Sequence, residues 1–219
     1  MKSTIPANKN NSIEFFRILF MVVLVSWHSR SGFFAHGYLV VEFFFILSGY
    51  FIYQSFKRKQ KNTLSYVGDR IKRTYLEYSI ACLFSFCITF LGALVNGKDV
   101  FTWHSLFKLI SELLLLQNVG IFDGGYNYPL WYFSVLIWGG GGLYALLKYN
   151  KSLAVNIILP VFILLSYTYI FGMQKSIECW NKCIFYVPML RGLADMSIGI
   201  MAAKMSSHIL SLGGKIKTV

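Results

Sequence analysis

A carboxylate, a guanidinium and an imidazole fall on one side of a single apolar stretch near the start of the chain. Residues Glu14 to Tyr50 read EFFRILFMVVLVSWHSRSGFFAHGYLVVEFFFILSGY, with Glu14, Arg17 and His28 in the first apolar run and Glu42 near the start of the second. Arg17 and His28 are eleven residues apart. That is close to three helical turns, so a helix carries both on one face, about 16 Å apart along its axis. Glu14, three residues before Arg17, falls on nearly the same side. Histidine titrates near neutrality and can take a proton from a hydroxyl. A carboxylate can orient an imidazole and stabilise its charged form, and an arginine can hold an anion. Ionisable groups are costly inside a membrane span and as a rule face a protein interior or a water-filled path. The arrangement reads as a site rather than a packing stripe.

The elements that must position these groups are membrane spans. Of 219 residues, 56% are hydrophobic and only 14% charged, against about a quarter charged in soluble domains, and the mean hydropathy is +0.54. The expected fold is an all-α, polytopic transmembrane bundle of about six spans with one short interfacial or re-entrant helix. The spans are placed at residues 15–27, 38–56, 75–95, 129–147, 153–171 and 187–205. The apolar segment Leu106–Leu116 is too short to cross, because a span needs about 20 residues. No cleavable leader is read at the polar N-terminus, and the first run is taken as a true span.

The net charge of +12 does not point to nucleic acid, because the basic residues cluster at the ends of apolar runs. Even KRKQK, Lys57 to Lys61, reads as a loop beside anionic membrane lipid. With the N-terminus in the cytoplasm, the inner segments hold fourteen of the 21 basic residues, seven of them between Lys57 and Arg73. The outer side then holds Arg30, Lys98, Lys108, Lys175, Lys182 and Arg191, while Arg17 is buried. This bias predicts both termini on the cytoplasmic side of the cell's inner membrane. Cys179 and Cys183, four apart in a polar loop, either pair or stay free, and no metal site is expected. The run Gly139 to Gly142 sits inside an apolar stretch without a following Lys-Ser/Thr, so it is read as close helix packing.

With the spans in place, several phrases resemble membrane-bound acyltransferase family 3, whose members O-acylate sugars and cell-envelope polysaccharides. These are Arg17 followed after ten residues by His28, VVEFFFILSGYFI with Glu42, Ser48 and Gly49, the pair Arg70 and Arg73 in DRIKRTY, and PLWYFSVL with Trp131 and Ser134. The resemblance covers residues 13–205. It implies one acyltransferase domain over residues 1–219, and because the family looks like ten-span proteins, a domain incomplete at its C-terminus. It further implies acyl-CoA, in particular acetyl-CoA, as donor and a glycan or lipid-linked sugar hydroxyl as acceptor, without a metal.

On that reading His28 is the base, and Glu42, expected at the depth of His28, orients the imidazole. Arg17 suits a pyrophosphate or thioester oxygen, and Arg70 and Arg73 bind CoA phosphates. Plainer readings stand beside these. Arg70 and Arg73 also suit positive-inside anchors, Glu14 a neutraliser of Arg17, and Ser48–Gly49 close packing. Two other functions remain open: a transporter or flippase using an Arg17–His28–Glu42 relay, and an inactive truncated remnant.

Overall fold

The computed structural model describes residues 11–29, 33–97, 102–117, 119, 125–173 and 186–216. Cys179 and Cys183 lie outside them, as does Arg30. The described elements are helical: α1 (Asn11–His28), a 3-10 turn (Gly37–Leu39), α2 (Val40–Arg58), α3 (Thr63–Val95), α4 (Trp103–Leu113), a second 3-10 turn (Tyr128–Leu130), α5 (Trp131–Leu153), a π turn (Ala154–Ile158), α6 (Leu159–Met173) and α7 (Val187–Ile216). Four helical stretches are long and apolar enough to cross a membrane: Asn11–His28, Gly37–Arg58, Thr63–Val95 and Tyr128–Gly172. The last, of 45 residues, is interrupted at Asn150, whose φ of −154° and ψ of 96° are extended. The Asn150 side chain accepts the Leu153 amide at 3.0 Å and so caps the helix that restarts there. This break separates the two spans expected from the sequence. α7 is long enough to cross but carries Arg191, Asp195 and Lys204.

The chain gathers into two compact units, Met1–Phe44 and Phe45–Val219, with the boundary inside α2. In the first unit, α1 and the start of α2 run antiparallel: Trp27 meets Tyr38 at 5.8 Å and Phe20 meets Phe43 at 4.6 Å between ring centroids. Gly37 permits the approach. A Cβ there would come within 2.5 Å of the Trp27 Cβ, so a larger residue would push the 3-10 turn off α1.

In the second unit, side-chain pairs set the directions of the helices. Phe45 packs on Tyr132, Ile52 lies by Gly140, and Phe56 meets Tyr144, so α2 and α5 run parallel. Tyr66 stacks on Tyr144 and Tyr78 meets Phe133 edge-on, so α3 runs antiparallel to α5. α7 follows α5, with Gly192 against Val135 and Gly139 against Met196. α6 opposes α7, because Asn156 bonds Lys204 and Tyr167 bonds Asp195. The core includes the fully buried Phe45, Ile52, Val135, Tyr144 and Ile200.

These directions explain α4. Had the segment between α3 and α5 crossed the membrane, α3 and α5 would run parallel. α4 has 11 residues, about 17 Å at 1.5 Å per residue, roughly half the hydrocarbon thickness. Thr102 caps its start by accepting the Ser105 amide at 3.2 Å. Its end closes on Leu115 at φ 58°, where Leu115 and Leu116 amides return to the Glu112 and Ser111 carbonyls at 2.9 and 2.8 Å, a left-handed helix stop. The third span also begins earlier than its apolar run. α3 starts at Thr63, so the basic segment containing Arg70 and Arg73 is helix continuous with the span.

Glu112 locks this region. It is fully buried, and its carboxylate accepts the Tyr126 amide at 2.7 Å and the Asn127 amide at 3.0 Å. Its carbonyl accepts the Tyr78 hydroxyl at 2.5 Å. Glu112→Ala would strand two buried amides, at roughly 1–3 kcal/mol each. We expect that variant to lose about 2–5 kcal/mol in detergent melting, with Glu112→Gln, which keeps one acceptor oxygen, losing less. Equal melting temperatures for wild type and Glu112→Ala would show that this clasp does not hold the turn before α5.

Candidate functional site

The first unit carries three of the five expected site residues. Arg17 Nη1 pairs with Glu14 Oε1 at 3.1 Å, both side chains close to half exposed, as the i,i+3 spacing on a helix allows. His28 closes α1, with its exposed imidazole edge-on to Trp27 at 4.7 Å. Glu42 lies in the first turn of α2.

The aromatic ladder between α1 and α2 fixes their relative depths. Phe43 sits on Phe20, so Glu42 is level with the part of α1 near Phe20. Phe20 is eight residues before His28 and three after Arg17, about 12 Å and 4.5 Å along the axis. The expectation that Glu42 shares the depth of His28 is therefore corrected: Glu42 stands between the two cationic positions and nearer that of Arg17. The cause is the 3-10 turn. It descends beside Trp27 before α2 begins, so the first turn of α2 opens below the end of α1. No hydrogen bond or ion pair joins His28 to Glu42 among the described residues.

The other two expected residues, Arg70 and Arg73, belong to the second unit and differ in setting. Arg73 is exposed, whereas Arg70 is half-buried. The Arg70 guanidinium lies 5.1 Å over the Tyr66 ring, and its Nη1 is 3.6 Å from the point a Cβ on Gly140 would occupy. Gly140 lies nine residues from Trp131 and nine from Tyr149, midway along the first part of α5. Arg70 thus reaches well inside the apolar layer, deeper than an interfacial anchor requires.

The remaining motif residues pack. Ser48 Oγ and the Tyr132 hydroxyl are 3.3 Å apart, and a Cβ on the neighbouring Gly49 would overlap the Met196 backbone carbonyl. Trp131 and Ser134 are buried. Gly139 faces Leu193 and Met196, and Gly141 faces Val67. Three of the four glycines in the run, Gly139 to Gly141, are therefore a contact face, as their place in an apolar stretch implies.

Two ionisable residues emerge that the sequence reading did not use as a site. Arg191, counted there on the outer surface, is 3% exposed inside α7, and Asp195 one turn later is fully buried and accepts the Tyr167 hydroxyl. Arg191 therefore leaves the outer tally of basic residues. Its place near the first end of the span expected over residues 187–205 concealed it. The signal that could have found the pair is RGLAD, a cation and an acid four residues apart and hence on one helix face. Among the described residues no group of three or more His, Cys, Asp or Glu could hold a metal ion.

Comparison with protein families gives a match to the acyltransferase family 3 model, described as an acyltransferase domain, over residues 10–216. No curated protein and no solved structure matches the chain.

Proposed function

The chain belongs to acyltransferase family 3, and from that premise we propose that this membrane acyltransferase moves an acyl group, in particular acetyl, from cytoplasmic acyl-CoA to a hydroxyl of a cell-surface or exported glycan. What supports the reading is the α1–α2 hairpin, in which Arg17, Glu42 and His28 stand at successive depths. The His28 imidazole takes the proton of the acceptor hydroxyl as its oxygen attacks the thioester carbonyl. When the tetrahedral intermediate collapses, the C–S bond breaks and the departing thiolate takes that proton back, so the imidazole is regenerated. Arg17, about 16 Å from His28 along α1, suits the permanent charge of the donor's pyrophosphate, and Arg70 and Arg73 hold CoA phosphates. The protein lies in the cell's inner membrane with both termini cytoplasmic, so the donor arm reaches outward along α1 to an acceptor at the far side.

The test is incubation of membranes with labelled acetyl-CoA. Label on a glycan supports this reading, and solute uptake without label sinks it in favour of a transporter. The depth of Glu42 gives a graded prediction. A carboxylate about 12 Å from an imidazolium at an effective dielectric near 20 is worth about 1.4 kcal/mol, or roughly tenfold in rate. Glu42→Gln should therefore slow transfer about tenfold. Loss of about four orders of magnitude, as when the acid of a hydrogen-bonded triad is neutralised, would show that Glu42 bonds the imidazole directly during turnover.

A further inference from the structure

We infer that Tyr66 and Arg70 form a two-donor cradle for a single phosphate-ester oxyanion, on the side of α3 that faces α5. Three observations converge on it. The Arg70 guanidinium is half-buried, and among the described residues no carboxylate pairs with it and no group accepts its hydrogen bonds. The Tyr66 side chain is 5% exposed, yet its hydroxyl has no hydrogen-bond partner. The guanidinium lies 5.1 Å over the Tyr66 ring, which keeps the two donors side by side.

A buried hydroxyl without a partner costs about 1–3 kcal/mol, and a guanidinium away from water costs more unless it is paired. Both deficits disappear when an oxyanion enters, because each donor then makes a charge-assisted bond. The surroundings hold the donors in place. Tyr66 stacks on Tyr144 at 4.0 Å with the rings 6° from parallel, and the Tyr144 hydroxyl accepts the Lys61 amide at 2.8 Å. Lys61 also pairs with Asp69, which engages the carboxylate adjacent to Arg70 in sequence and leaves the guanidinium for a ligand. Arg73 is exposed and has no comparable setting.

The inference rests on the proposed acyl-CoA donor and deepens it, dividing the arginine pair into one residue that holds a phosphate within the bundle and one that meets phosphate at the surface. A phosphate ester can come from CoA or from an anionic phospholipid, and the test separates them. CoA binding is measured calorimetrically for wild type, Tyr66→Phe, Arg70→Lys and Arg73→Lys in zwitterionic detergent. Retention of phosphatidylglycerol against phosphatidylcholine is measured for the same proteins by native mass spectrometry from nanodiscs.

The expected result is CoA affinity weakened about ten- to a hundredfold by Tyr66→Phe and by Arg70→Lys, and by a smaller factor by Arg73→Lys, whose exposed contact water screens. Tyr66→Phe should also leave the melting temperature of the ligand-free protein unchanged or raise it, because it removes a stranded hydroxyl. A hydroxyl with a structural role would lower it. Wild-type CoA binding that Tyr66→Phe leaves intact overturns the cradle and spares the donor reading. Selective loss of phosphatidylglycerol from Tyr66→Phe and Arg70→Lys, with no CoA binding by wild type, keeps the cradle and overturns the donor reading. Wild-type protein that takes up neither ligand overturns both.

Discussion

His28→Ala is expected to reduce acyl transfer by two to four orders of magnitude while leaving the protein folded and able to bind CoA. The size follows from the role. Proton transfer by a positioned side chain contributes about 10²–10⁴ in rate, equivalent to about 3–5 kcal/mol of barrier. Folding should survive because the imidazole is exposed at the last residue of α1, and its one described ring contact is Trp27 beside it. Labelled acetyl transfer by membranes checks the rate. Melting temperature and CoA binding check that only chemistry is lost. Partial recovery with added imidazole would identify the missing group as a base rather than a packing element. Transfer at the wild-type rate by His28→Ala would remove His28 from the mechanism and with it the reason for the donor arm to reach outward along α1.

Gly199→Ala is expected to abolish the folded protein. A Cβ on Gly199 would overlap the Ile46 carbonyl, and one on Gly49 would overlap the Met196 backbone, so α2 and α7 touch backbone to backbone at one crossing. No rotamer change relieves a clash with main chain, and the helices would have to separate. Membrane helices associate through this kind of close approach, because lipid tails supply no hydrophobic drive between them. The destabilisation should exceed about 4 kcal/mol, the range reserved for disrupted cores and strained backbones. Monodisperse yield from detergent and melting temperature report it, with Gly142→Ala as the control. Nothing lies within 4 Å of a Cβ at Gly142, so that variant should behave as wild type. A well-folded Gly199→Ala protein would show that α2 and α7 do not meet at this crossing.

The two predictions bear on separate parts of the reading. His28 tests the chemistry of the first unit without disturbing packing. Gly199 tests the packing of the second, on which the placement of Arg70 between α3 and α5 depends. An inactive but folded His28→Ala protein beside a collapsed Gly199→Ala protein would support both.

Much of this was legible in the amino-acid order because membrane physics acts locally. Length and hydropathy mark the helices, glycines in succession in an apolar stretch mark a contact face (here Gly139 to Gly141), and a segment as short as Leu106–Leu116 cannot cross. The spacing of Arg17 and His28 places them on one face of α1 whatever surrounds that helix. Depth and burial across helices were not legible, since these depend on how one helix slides past another. The 3-10 turn over Gly37–Leu39 lowers α2 by more than a turn and moves Glu42 from the level of His28 toward that of Arg17. Long-range packing carries Arg191 from an expected outer surface to the interior of α7, and distinguishes Arg70 from Arg73 although they stand three residues apart. Tyr66 had no marking in the sequence at all. A tyrosine becomes part of a candidate site only when tertiary structure buries its hydroxyl without a partner, beside a guanidinium in the same position.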